Sequence, residues 1–394
     1  IPFMKRSGIP PAVAGGIEAV ASTGGQLMPP IVGAAVFLMA EFIEAPYGDV
    51  MLAALLPILL YYIALFLQVD LAAAKAGLVA VPPEKIAPAW PTLRAGGHFL
   101  LPFVVFLVGI FRFGMQPEIA ALWALGTLLV TSTLFGYRGA RARPATLLGT
   151  LSDAGLSAVE IILVTAGAGI VIGVLNLSGL AYALSLILIT FAGESVLVLL
   201  LLAAAASIVL GMGMPTAGVY VLLATLVAPA LEQLGLDRLP AHLFVLYFGM
   251  LSMITPPVAL ASYAAANLAG ADPWRTSLHA VRLGWTAYIV PFLFVASPAL
   301  LLIGSPWLIA WTALTAVGGI WLVTIGFVGF ASRPIGPLRR ALFVAIGLAL
   351  LIPPDAFPGA LALEFLGLLG AAGLLGWLHL DRRRARTSAA EAGE

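Results

Sequence analysis

STGGQLMPP at residues 22–30 interrupts an apolar run that begins near residue 12, and a second interruption of the same kind, GMLSMITPP, stands at 249–257. Proline lacks the N–H that a helix needs, and its ring clashes with the preceding turn, so each Pro-Pro pair stops a helix and frees carbonyls upstream of it. Gly24 and Gly25 permit the backbone angles of an unwound stretch. Freed carbonyls cannot be left unpaired in hydrocarbon, so such a stretch must line water or bind something.

Hydrocarbon is the expected surroundings, because of the 394 residues 62% are apolar and only 9% charged, against about 25% charged in soluble domains. Mean hydropathy is +1.09. No ionised residue occurs between Glu160 and Glu194, Glu194 and Glu232, Arg238 and Asp272, or Arg282 and Arg333. A helical span needs ~20 apolar residues, so each gap can hold one or more. The runs of Leu, Ala, Val and Gly do not alternate as the strands of a β-barrel would. The expected fold is an all-α polytopic membrane protein. Several segments, among them 31–45, 240–254 and 258–270, are too short to cross ~30 Å at 1.5 Å per residue. They suggest hairpins and broken helices.

The two breaks belong to an internal repeat. Pro29-Pro30 and Pro256-Pro257 are 227 residues apart, as are Pro46-Tyr47 and Pro273-Trp274, and YIALFL at 62–67 matches YIVPFL at 288–293 at an offset of 226. Paired repeats with interrupted helices are the pattern of secondary transporters, which bind substrate and coupling ion at the repeat interface. GMGMPTAGVY at 211–220 precedes the second copy, and its counterpart would fall near position −16, so the first copy is expected to begin before Ile1. The domain reading is therefore 1–75 as the remainder of a first repeat, 76–150 as linker and connecting helices, 151–304 as the second repeat, and 305–394 as extra membrane helices with a basic tail.

Hydroxyls and carbonyls are the oxygen ligands that hard cations prefer. Ser22, Thr23, Gly24 and Gly25 at one break, with Ser252, Thr255 and Pro256 at the other, are the candidate Na⁺ ligands. Glu18, four residues before the first break, is a candidate for a cation or a proton. Gly211, Gly213, Pro215 and Thr216 form a third break. Pro215 suits the first turn of the helix that follows, whose N-terminal amides could hold a substrate carboxylate. Glu41 and Glu160 are expected near helix ends, and Gly169 with Gly173 signals close helix packing. His98, His242 and His279 lack metal-ligand spacing. Cysteine is absent. Lys75, Lys85 and Arg94, then Arg138, Arg141 and Arg143, then Arg382, Arg383, Arg384 and Arg386, mark regions expected to face the cytoplasm. No HExxH, phosphate loop or GxSxG is present, which points away from an enzyme.

IPFMKRSG at 1–8 and EAVASTGGQLMPPIVGAAVFLMAEF at 18–42, together with GMGMPTAGVYVLLATLVAPALEQLG at 211–235 and ITPPVALASYAAANLAGADPW at 254–274, resemble the large membrane subunit of tripartite ATP-independent periplasmic (TRAP) transporters. The resemblance is strongest to the branch with fused membrane subunits that works with a TAXI-type binding protein. It covers roughly residues 1–304. It implies uptake of an organic acid, a dicarboxylate or an amino-acid-like acid, coupled to Na⁺ or H⁺ and moved by an elevator motion in the bacterial inner membrane. A periplasmic solute-binding protein would deliver the substrate, and a small four-helix membrane subunit would lie upstream. No cofactor beyond the coupling ion is implied. The reading from another class is a passive channel or scaffold subunit.

Overall fold

The computed structural model describes residues 1–78, 86, 88–137, 140–141 and 144–391. The basic positions Lys85, Arg138 and Arg143 and the side chains of Glu160, Arg382, Arg383, Arg384 and Arg386 lie outside what is described. The first half comprises α1 (Pro2–Arg6), α2 (Pro11–Gly24), α3 (Ala34–Phe42), α4 (Tyr47–Lys75), α5 (Ala89–Gly96), α6 (Leu101–Phe113), α7 (Pro117–Leu134), α8 (Pro144–Ser178) and α9 (Leu180–Ala192). A hairpin follows, α10 (Val196–Gly211) and α11 (Thr216–Leu226), then α12 (Ala228–Gln233), α13 (Arg238–Leu251), α14 (Leu260–Ala269), α15 (Pro273–Leu283) and α16 (Trp285–Ala296). The C-terminal group is α17 (Pro306–Val328), α18 (Pro337–Leu351) and α19 (Ala360–Glu391).

Local chemistry sets these limits. Pro11, Pro273 and Pro306 open their helices at positions where the missing N–H costs nothing. The Asp272 carboxylate accepts from the Arg275 amide at 2.8 Å, and the Ser305 hydroxyl from the Leu308 amide at 3.3 Å, each capping an orphan donor. Among the described residues seven helices are long and apolar enough to cross a membrane, and α8 and α9, bent by 70° about Gly179, supply an eighth if counted as one span. The all-α polytopic expectation is thus met.

The repeat register carries through to the helix boundaries. α2 and α13 begin and end 227 residues apart, at Pro11 and Arg238 and at Gly24 and Leu251. α3 and α14 end 227 apart, at Phe42 and Ala269. Pro29-Pro30 and Pro256-Pro257 are both cis. α4 runs unbroken through Pro57, whereas its counterpart stops at Leu283 and resumes at Trp285, so the residue corresponding to Pro57 is the break residue Gly284.

α13 occupies the middle of the molecule: every residue from Pro240 to Leu251 is buried. Fourteen residues at 1.5 Å each give about 21 Å, short of a bilayer, so this helix is held by protein at its broken end. α10, α11, α12 and α16 pack around it, while α2 packs on α14 and α15 and α3 on α11, which interleaves the copies. The outer helices show large apolar side chains to the surroundings, as Phe111, Trp123, Leu156 and Leu177 illustrate. Gly169 and Gly173 have nothing within 4 Å of where a Cβ would stand, so the described chain places no helix against that pair. α17 and α18, by contrast, cross glycine on glycine: a Cβ at Gly319 would lie 2.6 Å from the Gly347 carbonyl oxygen.

Candidate substrate and ion site

Both breaks unwind later than their glycines suggest. α2 continues through Gly24, and residues 25–27 form one further 3₁₀ turn, with φ −63° at Gly24 and −57° at Gly25, ordinary right-handed values. The expectation that these glycines supply unwound angles is therefore corrected. Gly24 is small because the Tyr61 ring lies against it, 2.4 Å from where a Cβ would stand. Tyr61 and Tyr62 reach over from α4 and donate to the carbonyls of Val20 and Ala21 at 2.7 and 2.8 Å. Two carbonyls near the end of α2 are thus occupied by phenols.

The unwound stretches are 28–33 and 255–259, and they close in matching ways. The Gln26 carbonyl accepts from the Gly33 amide at 2.7 Å, and the Met253 carbonyl accepts from the Ala261 amide at 3.0 Å. Gln26 and Met253 are counterparts in the repeat, and they touch: the Gln26 amide Nε2 lies 3.6 Å from the Met253 Sδ. Counterparts meet only where the two copies face each other. The Thr216 hydroxyl, at the start of α11, points to the same sulfur at 3.6 Å. A thioether is a weak acceptor. Two hydrogen-bond donors from different elements therefore converge on a partner that satisfies neither well. The first amides of α11 open beside them, since the earliest helical bond there is Val219 N–H to the Pro215 carbonyl.

At the hairpin tip Pro215 is the residue before α11 rather than in its first turn, with ψ 148°, which corrects its expected position by one. Gly213 has φ 81°, in the left-handed region that only glycine enters freely. Gly211 is small for a different reason. A Cβ there would stand 2.9 Å from both the Gly249 carbonyl and the Ser252 hydroxyl. Ser252 is 2% exposed and its Oγ lies 2.9 Å from the Gly211 carbonyl and 2.6 Å from that of Gly249, so its hydrogen ties the tip of α10 to the end of α13. Its lone pairs stay open. Thr255 Oγ1 donates to the Leu251 carbonyl at 2.6 Å, which leaves it to accept from the Tyr288 hydroxyl at 2.7 Å. Thr23 is equally buried, and its Oγ1 has no hydrogen-bond partner.

The candidates thus divide. Ser252, Thr255, Gly211 and Thr216 gather around the broken end of α13, with Pro256 in the unwound stretch itself. Ser22 and Gly25 are exposed, and the Ser22 hydroxyl donates to Glu18 Oε1 at 3.1 Å. Glu41 sits in the last turn of α3 as expected, beside a cavity of about 760 Å³ that Asp49 and Glu118 also line. The sequence reading missed Gln26, Met253 and Tyr288. Gln26 stood inside the quoted break, and Tyr288 opened one of the repeat landmarks. Among the described residues no group of three His, Asp or Glu could hold a metal. His242 instead links Tyr220 and Glu232, with its Nδ1 2.7 Å from the phenol and its Nε2 3.0 Å from the carboxylate, joining α11, α12 and α13.

Two unwound stretches facing each other beside a hairpin tip form the frame that ion-coupled carriers use. The chain matches the family model of the tripartite ATP-independent periplasmic transporter DctM component over residues 1–308. It belongs to the DctM family. It is also similar to the C4-dicarboxylate TRAP transporter large permease protein DctM of Pseudomonas aeruginosa, 27% identical over 310 residues, or 77% of this chain and 70% of that protein. The chain is accordingly an integral multi-pass membrane protein of a transporter family rather than of an enzyme family. The DctM match spans both breaks and the hairpin, and α17–α19 lie almost wholly beyond it.

Proposed function

We propose that this chain is the permease component of a cation-coupled secondary transporter that imports an organic acid across a bacterial inner membrane. The observation that carries this reading is the convergence of the Gln26 amide and the Thr216 hydroxyl, the latter on the first residue of α11, on Met253. A carboxylate would replace the weak sulfur acceptor with two strong ones and would complement the partial positive charge of the helix end. A C4-dicarboxylate is the favoured substrate class, in keeping with the P. aeruginosa relative's name. An amino-acid-like acid fits the same donors through its carboxylate.

Coupling falls to neutral oxygens. Ser252, Thr255 and the carbonyls around Pro256 are the proposed cation ligands at one break, and Thr23 with the backbone of Gly24 and Gly25 at the other, near Ser22. Na⁺ suits such a set, and Glu18 is the group that would carry a proton in its place. A periplasmic solute-binding protein, of TAXI type if α17–α19 mark a fused member, delivers the substrate, and a small four-helix membrane subunit completes the complex. The hairpin and breaks would travel together in an elevator movement. The test is uptake of succinate by the complete transporter, reconstituted with its binding protein, under separate Na⁺ and pH gradients. Concentrative uptake driven by one gradient is expected, and Thr255→Ala should weaken that cation dependence about tenfold, on the order of one lost charge-assisted ligand. Equilibration without concentration would replace this reading with a passive channel.

A further inference from the structure

Where α17 ends, three cations gather from three different helices. Lys75, the last residue of α4, donates from Nζ to the Val328 carbonyl at 2.6 Å. Arg282, in the last turn of α15, donates to the Phe327 carbonyl at 2.8 Å, and Arg340 of α18 reaches the Gly326 and Phe327 carbonyls at 2.9 and 3.0 Å. A helix C-terminus carries roughly half a negative charge. Three full positive charges exceed that several-fold. Among the described residues no carboxylate lies within 4.0 Å of Lys75, Arg282 or Arg340.

Beside this cluster lies a pocket of about 380 Å³. Lys75, Arg282 and His279 form its polar edge, while Val13, Ala72, Leu283 and Val328 supply an apolar floor. Lys75 uses one of three donors on Val328 and Arg282 one of five on Phe327, so both retain hydrogens for a further acceptor. Gln68, 3% exposed, fixes the wall by donating to the Leu283 carbonyl at 2.7 Å. The site straddles a seam: Lys75 and Arg282 belong to the DctM-matched part, whereas Phe327 and Val328 come from the helices beyond it.

We propose that this pocket binds the phosphate group of an anionic phospholipid, with Lys75 and Arg282 holding the phosphate oxygens and an acyl chain lying on the apolar floor. Positive charge that no described carboxylate pairs calls for an anion, guanidinium and ammonium are the groups that recognise phosphate, and basic pockets between membrane helices hold such headgroups. The apolar floor selects a lipid over free phosphate. The lipid would then cement α17–α19 to the repeats through α4 and α15.

The experiment uses the full chain, purified and stripped of lipid by detergent exchange, with ligand binding read by native mass spectrometry. Three probes separate the sources: dioleoylphosphatidylglycerol, dioleoylglycerol for the chains alone, and inorganic phosphate for the headgroup alone. The phosphatidylglycerol should bind, and Arg282→Gln or Lys75→Gln should weaken it about five- to tenfold, as one lost basic contact implies. Arg282→Lys should retain most of the affinity, which separates charge from folding. Lys5→Gln, whose ammonium caps the Ala269 carbonyl at 2.6 Å on α14, should change nothing. Phosphate binding as tightly as the lipid would make the ligand a free anion and overturn the lipid source. Dioleoylglycerol binding as tightly as the phospholipid, or phospholipid binding unchanged in both glutamine variants, would overturn the site itself.

Discussion

Gly24 and Gly25 are adjacent, both helical and both beside the first break, yet alanine should act on them in opposite directions. At Gly24 an added Cβ stands 2.4 Å from Tyr61 Cε1 and 3.0 Å from Cδ1. Tyr61 is 2% exposed and anchored by its hydroxyl to Val20, so the ring cannot swing aside without giving up a buried hydrogen bond. Overpacking of this kind costs ~1–3 kcal/mol and the lost bond about 1 more, while alanine in a helix returns about 1. The net is a destabilisation of ~1–3 kcal/mol. At Gly25 the nearest atom is the Tyr62 hydroxyl oxygen at 3.8 Å and φ is −57°, so alanine should stabilise by ~0.5–1 kcal/mol. Thermal unfolding of the two variants in one detergent reads the contrast: a midpoint lower by roughly 2–6 °C for Gly24→Ala and unchanged or slightly higher for Gly25→Ala. Equal losses at both positions would mean that the break needs glycine flexibility after all, and wild-type stability at Gly24 would refute the tyrosine contact.

Gln26→Leu removes one of the two donors that meet at Met253, and it should raise the apparent KM for substrate about five- to tenfold with little loss of protein stability. Initial rates of uptake against substrate concentration in proteoliposomes measure this, and an unchanged KM would remove Gln26 from the site. Gly249→Ala should pry the hairpin from α13, because its Cβ would stand 2.6 Å from Val219 Cγ1 and 2.7 Å from Leu223 Cδ1. A cost of ~1–3 kcal/mol in unfolding is expected, and it should be relieved by a second substitution, Val219→Ala, made in the same chain.

The parts of this molecule that depend on local chemistry were legible in its sequence. The Pro-Pro pairs, the 227-residue register and the Gly-rich hairpin tip each follow from what proline and glycine do to a backbone, and the helix limits keep that register at α2 and α13 to the residue. The apolar run 217–233 carries a break at Val227, where Pro229 opens α12, and the apolar run 281–303 is divided at Gly284. What stayed hidden depends on neighbours far along the chain. Gly24 invites an explanation by flexibility until Tyr61, 37 positions away, is seen to fill the space above it. Gln26 looked like a spacer within the break, because nothing local announces a partner 227 residues distant. Lys75 reads only as part of a cytoplasm-facing polar stretch for the same reason, since it and Arg282 acquire a common target only when the C-terminal helices fold back onto them.

The meeting of Gln26 with Met253 has a consequence for ancestry. A carrier assembled from two identical subunits must place the same side chain on both sides of such a contact, amide against amide or thioether against thioether, and any change there is made twice. One polypeptide that contains both copies escapes the constraint. Here one half supplies a donor and the other a soft acceptor, so the two faces of the opening are chemically unlike. Whatever lies between them meets a strong donor on one side and a weak acceptor on the other.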